Sequence, residues 1–181
     1  MKRQQLDHIL RAAGTITGQK QFVIVGSQAL HGKYPDLADM IVMSAEVDLF
    51  APRQQDATEL LNEIGVDSLF HTTHGFYADP VDEATAVLPK GWKGRLVNLP
   101  AGDTGGVRGL CLEPHDLAIS KYAVVPAPRD KDRTFTRELA RRGLVNREKL
   151  LALLEQTPVS AEIKERIRGY IESDFASSRE E

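Results

Sequence analysis

The run Phe22-Val23-Ile24-Val25, closed by Gly26-Ser27, constrains the fold more than any other stretch of the chain. Consecutive apolar residues, mostly β-branched and without polar alternation, read as a buried β-strand. Ser27 is suited to cap a helix carrying Ala29 and Leu30, and that helix is expected to end before Pro35. Backbone N–H groups at a strand-to-helix junction, with the helix dipole behind them, favour an anion, so a phosphate suits Gly26-Ser27. The plainer alternative is a structural turn in which Ser27 only caps its helix.

Val47-Asp48-Leu49-Phe50 reads as a second strand, closed by Pro52. Glu46 and Asp48 stand two apart on it, so both carboxylates leave one face while Val47 and Leu49 leave the other. Like charges held together repel, a cost usually offset by a bound cation, and hard oxygen donors suit Mg²⁺ or Mn²⁺. A solvated sheet edge is the competing reading.

Before the first strand, Leu6, Ile9, Leu10 and Ala13 recur at helical spacing, with Gly14 as a stop signal. After the second strand, 57–64 reads as a helix ended by Gly65. The order is β-α-β-α. Between Tyr77 and Leu112 the signals are short strands, among them 96–99 and 109–112, separated by turns such as 102–106. From Pro114 onward the texture is helical: 116–124, then 130–142 beyond Pro126 and Pro128, then two helices capped by Asn146 and Ser160. Residues 177–181 are expected to fray. The spacing predicts an α/β (α+β) chain, with a core over 1–113 and a helical part over 114–181 packed on it as one compact unit.

Composition narrows the function. A chain of 181 residues, 41% hydrophobic, is long enough for a sizeable core. A net charge of −3 argues against coating nucleic acid with positive charge alone. Cys111 is the only cysteine, so no intrachain disulfide forms, and the cytoplasm is the expected location. No apolar stretch is long enough to cross a bilayer, so a membrane partner is not expected.

Two later helices aim charges at buried faces. Leu117, Lys121 and Val124 share one face, and Asp132, Phe135 and Leu139 another, whereas Asp130 and Lys131 fall away from it. Lys121 and Asp132 are therefore either a structural ion pair or part of a cleft, where Lys121 meets phosphate and Asp132 a metal or an attacking hydroxyl.

Together these residues resemble the nucleotidyltransferase fold, whose signature is Gly-Ser or Gly-Gly followed by an acid-apolar-acid strand: here Gly26-Ser27, then Glu46-Val47-Asp48. More narrowly the chain is similar to a bacterial nucleotidyltransferase-like family of poorly assigned function, distantly like AbiEii-type toxins. The likeness runs through 25–30, 44–49, 74–79, 88–92, 116–121 and 129–132. It implies a mixed sheet with flanking helices and a helical C-terminal part. It also implies that Glu46 and Asp48 bind Mg²⁺ or Mn²⁺, that Gly26, Ser27, Lys121 and Arg129 contact nucleotide phosphates, and that Asp132 completes the catalytic set. The implied reaction transfers a nucleoside monophosphate from an NTP to tRNA, a protein or a small molecule. An inactive binding module, or a toxin–antitoxin component with an antitoxin-like partner, is the alternative. Two departures stand out: a long Ser27-to-Glu46 connection, and Glu rather than Asp as the first acid.

The remaining candidates have plainer readings. His71 and His74 lie in a Thr-rich segment with no clear helix to align them on zinc. Asp79 and Asp82 read as turn residues beside a strand, or as a further carboxylate near the site. Trp92 reads as a packing anchor. Arg137, Arg141 and Arg142 form either a solvated helical face or a landing place for an RNA backbone. Cys111 reads as core.

Overall fold

The computed structural model describes residues 1–177, leaving aside the side chains of Leu37, Asp39, Met40 and Ser177. Apart from residue 177, the segment expected to fray lies outside them. The architecture is mixed α/β, with two compact units: Met1–Thr85 with Leu96–Glu113, and Ala86–Arg95 with Pro114–Glu181.

In the first unit, α1 (Arg3–Thr17) buries Leu6, Ile9, Leu10 and Ala13 completely. Gly14 does not stop it. A Cβ there would come within 2.3 Å of Val107 Cγ2, so this glycine admits a close neighbour inside the helix. The stop is Gly18, left-handed at φ 70°, whose N–H donates to the Gly14 carbonyl.

The sheet runs in the order β3-β2-β1-β5-β4. Its strands are β1 (Gln21–Ile24), β2 (Glu46–Phe50), β3 (Tyr77–Pro80), β4 (Val97–Asn98) and β5 (Arg108–Cys111). The apolar run takes the middle position, antiparallel to β2 and parallel to β5, as its all-apolar sequence requires. β2 pairs with β3 in parallel, and β4 with β5 antiparallel.

The long connection between Ser27 and Glu46 is filled by a 3-10 helix (Ser27–Gly32) and by α2 (Pro35–Ile41). The first of these ends at Gly32, before Pro35 as expected, but the proline also opens the next helix. It stands in the first turn of α2, where its missing N–H costs no helical bond. The helix expected over 57–64 divides into α3 (Gln55–Glu59) and a 3-10 turn (Leu60–Ile64) ending before Gly65. Two helices were not legible: α2, and α4 (Leu69–His74), whose N-cap Ser68 accepts from the His71 N–H at 3.1 Å.

The second unit holds α5 (Pro114–Tyr122), α6 (Asp130–Arg141), α7 (Arg147–Glu155) and α8 (Ala161–Ser177) around Leu117, Ile119, Leu139, Leu150, Leu154, Ile167 and Ile171. Asn146 caps α7 by accepting the Lys149 N–H at 3.0 Å, and Ser160 accepts the Ile163 N–H at 3.3 Å. The segment Ala86–Arg95 belongs to this unit. The Lys90 N–H donates to the Gln156 carbonyl at 3.0 Å, and the Arg95 guanidinium grips both oxygens of fully buried Asp116 at 2.8 and 2.7 Å. Asp174, also buried, accepts from Arg133, Tyr122 and Thr136, joining α8 to α5 and α6. Among the described residues, no helix is long and apolar enough to cross a membrane.

Candidate functional site

The site in the first unit is built on strand alternation. Along β2, Val47 and Leu49 are fully buried, while Glu46 and Asp48 on the other face are only half-buried. The parallel register sets Glu46 opposite Tyr77 and Asp48 opposite Asp79. Paired residues of neighbouring strands share a face, so three carboxylates and a phenol gather there.

β1 brings Gly26 to the same place. The Val25 N–H donates to the Asp48 carbonyl at 3.0 Å. A Cβ on Gly26 would fall 1.6 Å from Asp48 Oδ2 and 2.6 Å from its Cγ, so the Asp48 carboxylate lies directly over the glycine. With φ −83° and ψ −169°, Gly26 has an extended backbone open to any residue. What demands glycine is the carboxylate, not the turn.

Ser27 is the first residue of the 3-10 helix and does not cap it; the extended residue before the helix is Gly26, which has no side chain to do so. The first amide bonded within the turn is that of Ala29, which donates to the Gly26 carbonyl at 2.9 Å, so the amides of Ser27 and Gln28 lead the turn. Ser27 Oγ lies 3.4 Å from Ser44 Oγ. Gln28, fully buried, sends its Nε2 to the Ser44 carbonyl at 3.0 Å, to Ser44 Oγ at 3.1 Å and to the Glu46 carbonyl at 3.3 Å. The Gly-Ser turn is thereby fastened to the start of the acidic strand. Gln28 Oε1 is buried without a hydrogen-bond partner among the described residues.

Electrostatics mark the same patch. The Tyr77 hydroxyl donates to Glu46 Oε2 at 3.1 Å. Burial, then that bond, then the negative charges of Glu46, Asp79 and Asp48 push the Tyr77 phenol above its usual range. Asp79 keeps much of its surface in solvent, yet desolvation against the sheet, followed by the charge of Glu46, raises its carboxyl above the usual carboxylate range. Asp79 stands inside β3 and is no turn residue. Asp82 does belong to a turn, accepting the Ala84 N–H at 2.8 Å. Among the described residues, no three His, Cys, Asp or Glu side chains converge on a metal position.

Lys121, Arg129 and Asp132 come together in the second unit. Lys121 Nζ lies 3.3 Å from Asp132 Oδ1, and Arg129 Nε 2.7 Å from Asp132 Oδ2. Burial opposes ionisation of Asp132, but the Arg129 hydrogen bond and the charges of Lys121 and Arg129 outweigh it and lower the carboxyl below its usual range. Asp130 and Lys131 are exposed, as the periodicity predicts.

The other candidates have structural surroundings. His71 and His74 do sit on a helix, α4. His71 Nδ1 accepts the Asp67 N–H at 3.0 Å, and the His74 ring centroid is 4.6 Å from that of His8. Half-buried Trp92 lies under Lys93. Arg141 and Arg142 both hold Glu138, pulling its carboxyl down to about 2, and Arg137 reaches Asp174 at 3.6 Å. Cys111 is fully buried, and burial pushes its thiol up to about 12.

Sequence reading missed Tyr77 and Gln28. The Tyr77-Ala78-Asp79 alternation was an available signal for the first, but its pairing with Glu46 depends on a register between distant segments. Nothing in the periodicity distinguishes Gln28, a buried amide in a 3-10 turn.

No curated protein and no solved structure matches the chain. Residues 4–176 match the family described as nucleotidyltransferase of unknown function (DUF6036), and at that coverage the chain belongs to this family.

Proposed function

We propose that this protein is a metal-dependent nucleotidyltransferase that transfers a nucleoside monophosphate from an NTP to a hydroxyl of tRNA, a protein or a small molecule. The observation that carries the reading is the Asp48 carboxylate seated over Gly26 and sharing its face of β2 with Glu46. Two carboxylates beside a glycine turn are a donor set suited to Mg²⁺ or Mn²⁺, with water and phosphate oxygens completing the coordination. When bound, the cation would supply charge neutralisation for the phosphates and polarise the acceptor oxygen. Glu46 and Asp48 hold it. The leading amides of Ser27 and Gln28 orient phosphate oxygens. The roles that the family resemblance implies for the remaining residues are phosphate-charge neutralisation by Lys121 and Arg129 and alignment of metal or acceptor by Asp132.

Calorimetry with ATP, CTP, GTP and UTP, with and without Mg²⁺, tests this. Nucleotide is expected to bind with Mg²⁺ and to lose affinity in Asp48→Ala; no binding at millimolar nucleotide, or an unaffected variant, rejects the site. Labelled NTPs incubated with a cell extract then identify the acceptor, which Asp48→Asn should leave unlabelled. The proposal extends to a cytoplasmic setting, for which the lone, buried thiol is the support, and to a bacterial origin and a distant kinship with AbiEii-type toxins, for which the sequence resemblance is the support.

A second reading, a non-catalytic module acting as a binding or toxin–antitoxin partner, is favoured by one observation: Asp132 is already held between Lys121 and Arg129. Lys121→Ala separates the two. An enzyme loses transfer and keeps its melting temperature, whereas a module melts early and transfers nothing in either form.

A further inference from the structure

A glutamate has one more side-chain torsion than an aspartate, so its carboxylate sweeps a wider arc and two acids two residues apart need not converge. At Glu46 that freedom is removed by a neighbour far away in sequence. The parallel register of β2 and β3 sets Tyr77 directly opposite, and the Tyr77 hydroxyl donates to Glu46 Oε2 at 3.1 Å. Tyr77 is itself held on several sides. Its N–H donates to the Ala45 carbonyl at 3.1 Å, and its ring lies 4.5 Å, centroid to centroid, from that of His71. His71 in turn is fixed by the Asp67 N–H on its Nδ1 and by the Ser68 cap on its amide. At the other end of the residue, Gln28 Nε2 holds the Glu46 carbonyl at 3.3 Å.

We propose that Tyr77 is a positioning residue for Glu46, fixing the carboxylate rotamer in which Glu46 and Asp48 share one divalent cation. This rests on the metal-binding reading of those two acids. Partners that orient a ligating carboxylate weaken metal affinity tenfold or more when removed. The short helix α4 therefore acts at the site through its ring on Tyr77, although none of its own side chains would meet the cation.

The test is an EPR titration with Mn²⁺ alone on the full-length chain, paired with thermal melts. Tyr77→Phe is expected to weaken Mn²⁺ binding about tenfold, to leave the melting temperature close to wild type, and to have no further effect in Glu46→Gln. Glu46→Asp, whose shorter carboxylate cannot keep both the tyrosine contact and its place beside Asp48, weakens binding likewise. Should the Phe variant melt too early to titrate, that variant reads the same contact. Wild-type affinity in Tyr77→Phe or in Glu46→Asp, or an equal loss from Tyr77→Phe with and without Glu46, overturns the positioning role while leaving the metal site intact. Absence of Mn²⁺ binding in the wild type, or Asp48→Asn binding as the wild type does, overturns the metal reading and this inference with it.

Discussion

At Gly26 a single hydrogen atom leaves room for the Asp48 carboxylate, and a methyl group in its place would overlap Oδ2. The Asp48 side chain can rotate away, so the backbone need not break. Gly26→Ala is expected to cost about 1–3 kcal/mol, the range for overpacking, and to abolish Asp48-dependent Mn²⁺ binding; urea melts and the EPR titration together check this. His8 makes a second prediction, set by charge. Burial, then the positive charges of His74 and Arg11, lower its pKa below 6.5. The unfolded chain takes up that proton near 6.5 while the folded chain resists it, so the contribution is intact above that pH and is lost as pH falls toward the folded value. Phe70, Phe76 and His74 pack around the His8 ring. His8→Phe is expected to flatten the decline in stability between pH 7.5 and 5.5, as measured by urea unfolding.

Elements differ in how much of their cause is local. The central strand was readable because Phe22 to Val25 carry the whole signal, and α7 was readable from Asn146 and the Leu150, Leu153, Leu154 face. Asn146→Ala is expected to cost about 1 kcal/mol, visible as a lower urea midpoint with unchanged slope. Where reading failed, one residue served two roles. Pro35 does follow a helix end, at Gly32, but also opens α2, which was not expected; Gly14 resembles a stop and makes room for Val107. α4 was hidden by its threonines, though Ser68 stood at its cap. The face carrying Glu46 and Asp48 followed from alternation alone. Tyr77 and Asp79 joined it only through the β2–β3 register, which no local pattern encodes.

On the scale of the whole molecule, the family and the mixed α/β class were legible, while the path of the chain was not. Ala86–Arg95 leaves the sheet unit and joins the helices before the chain returns to complete the sheet. Arg95 holds Asp116, which has no exposure at all, so Arg95→Ala removes the guanidinium from a buried carboxylate. A loss of about 3–5 kcal/mol is expected, measured by chemical denaturation. The same path bears on the order of synthesis. Residues 86–95 are synthesised before Asp116 and Gln156, so their polar groups stay with water until those later partners fold. The helical unit is therefore not one continuous C-terminal cassette, because Ala86–Arg95 of it is encoded between β3 and β4.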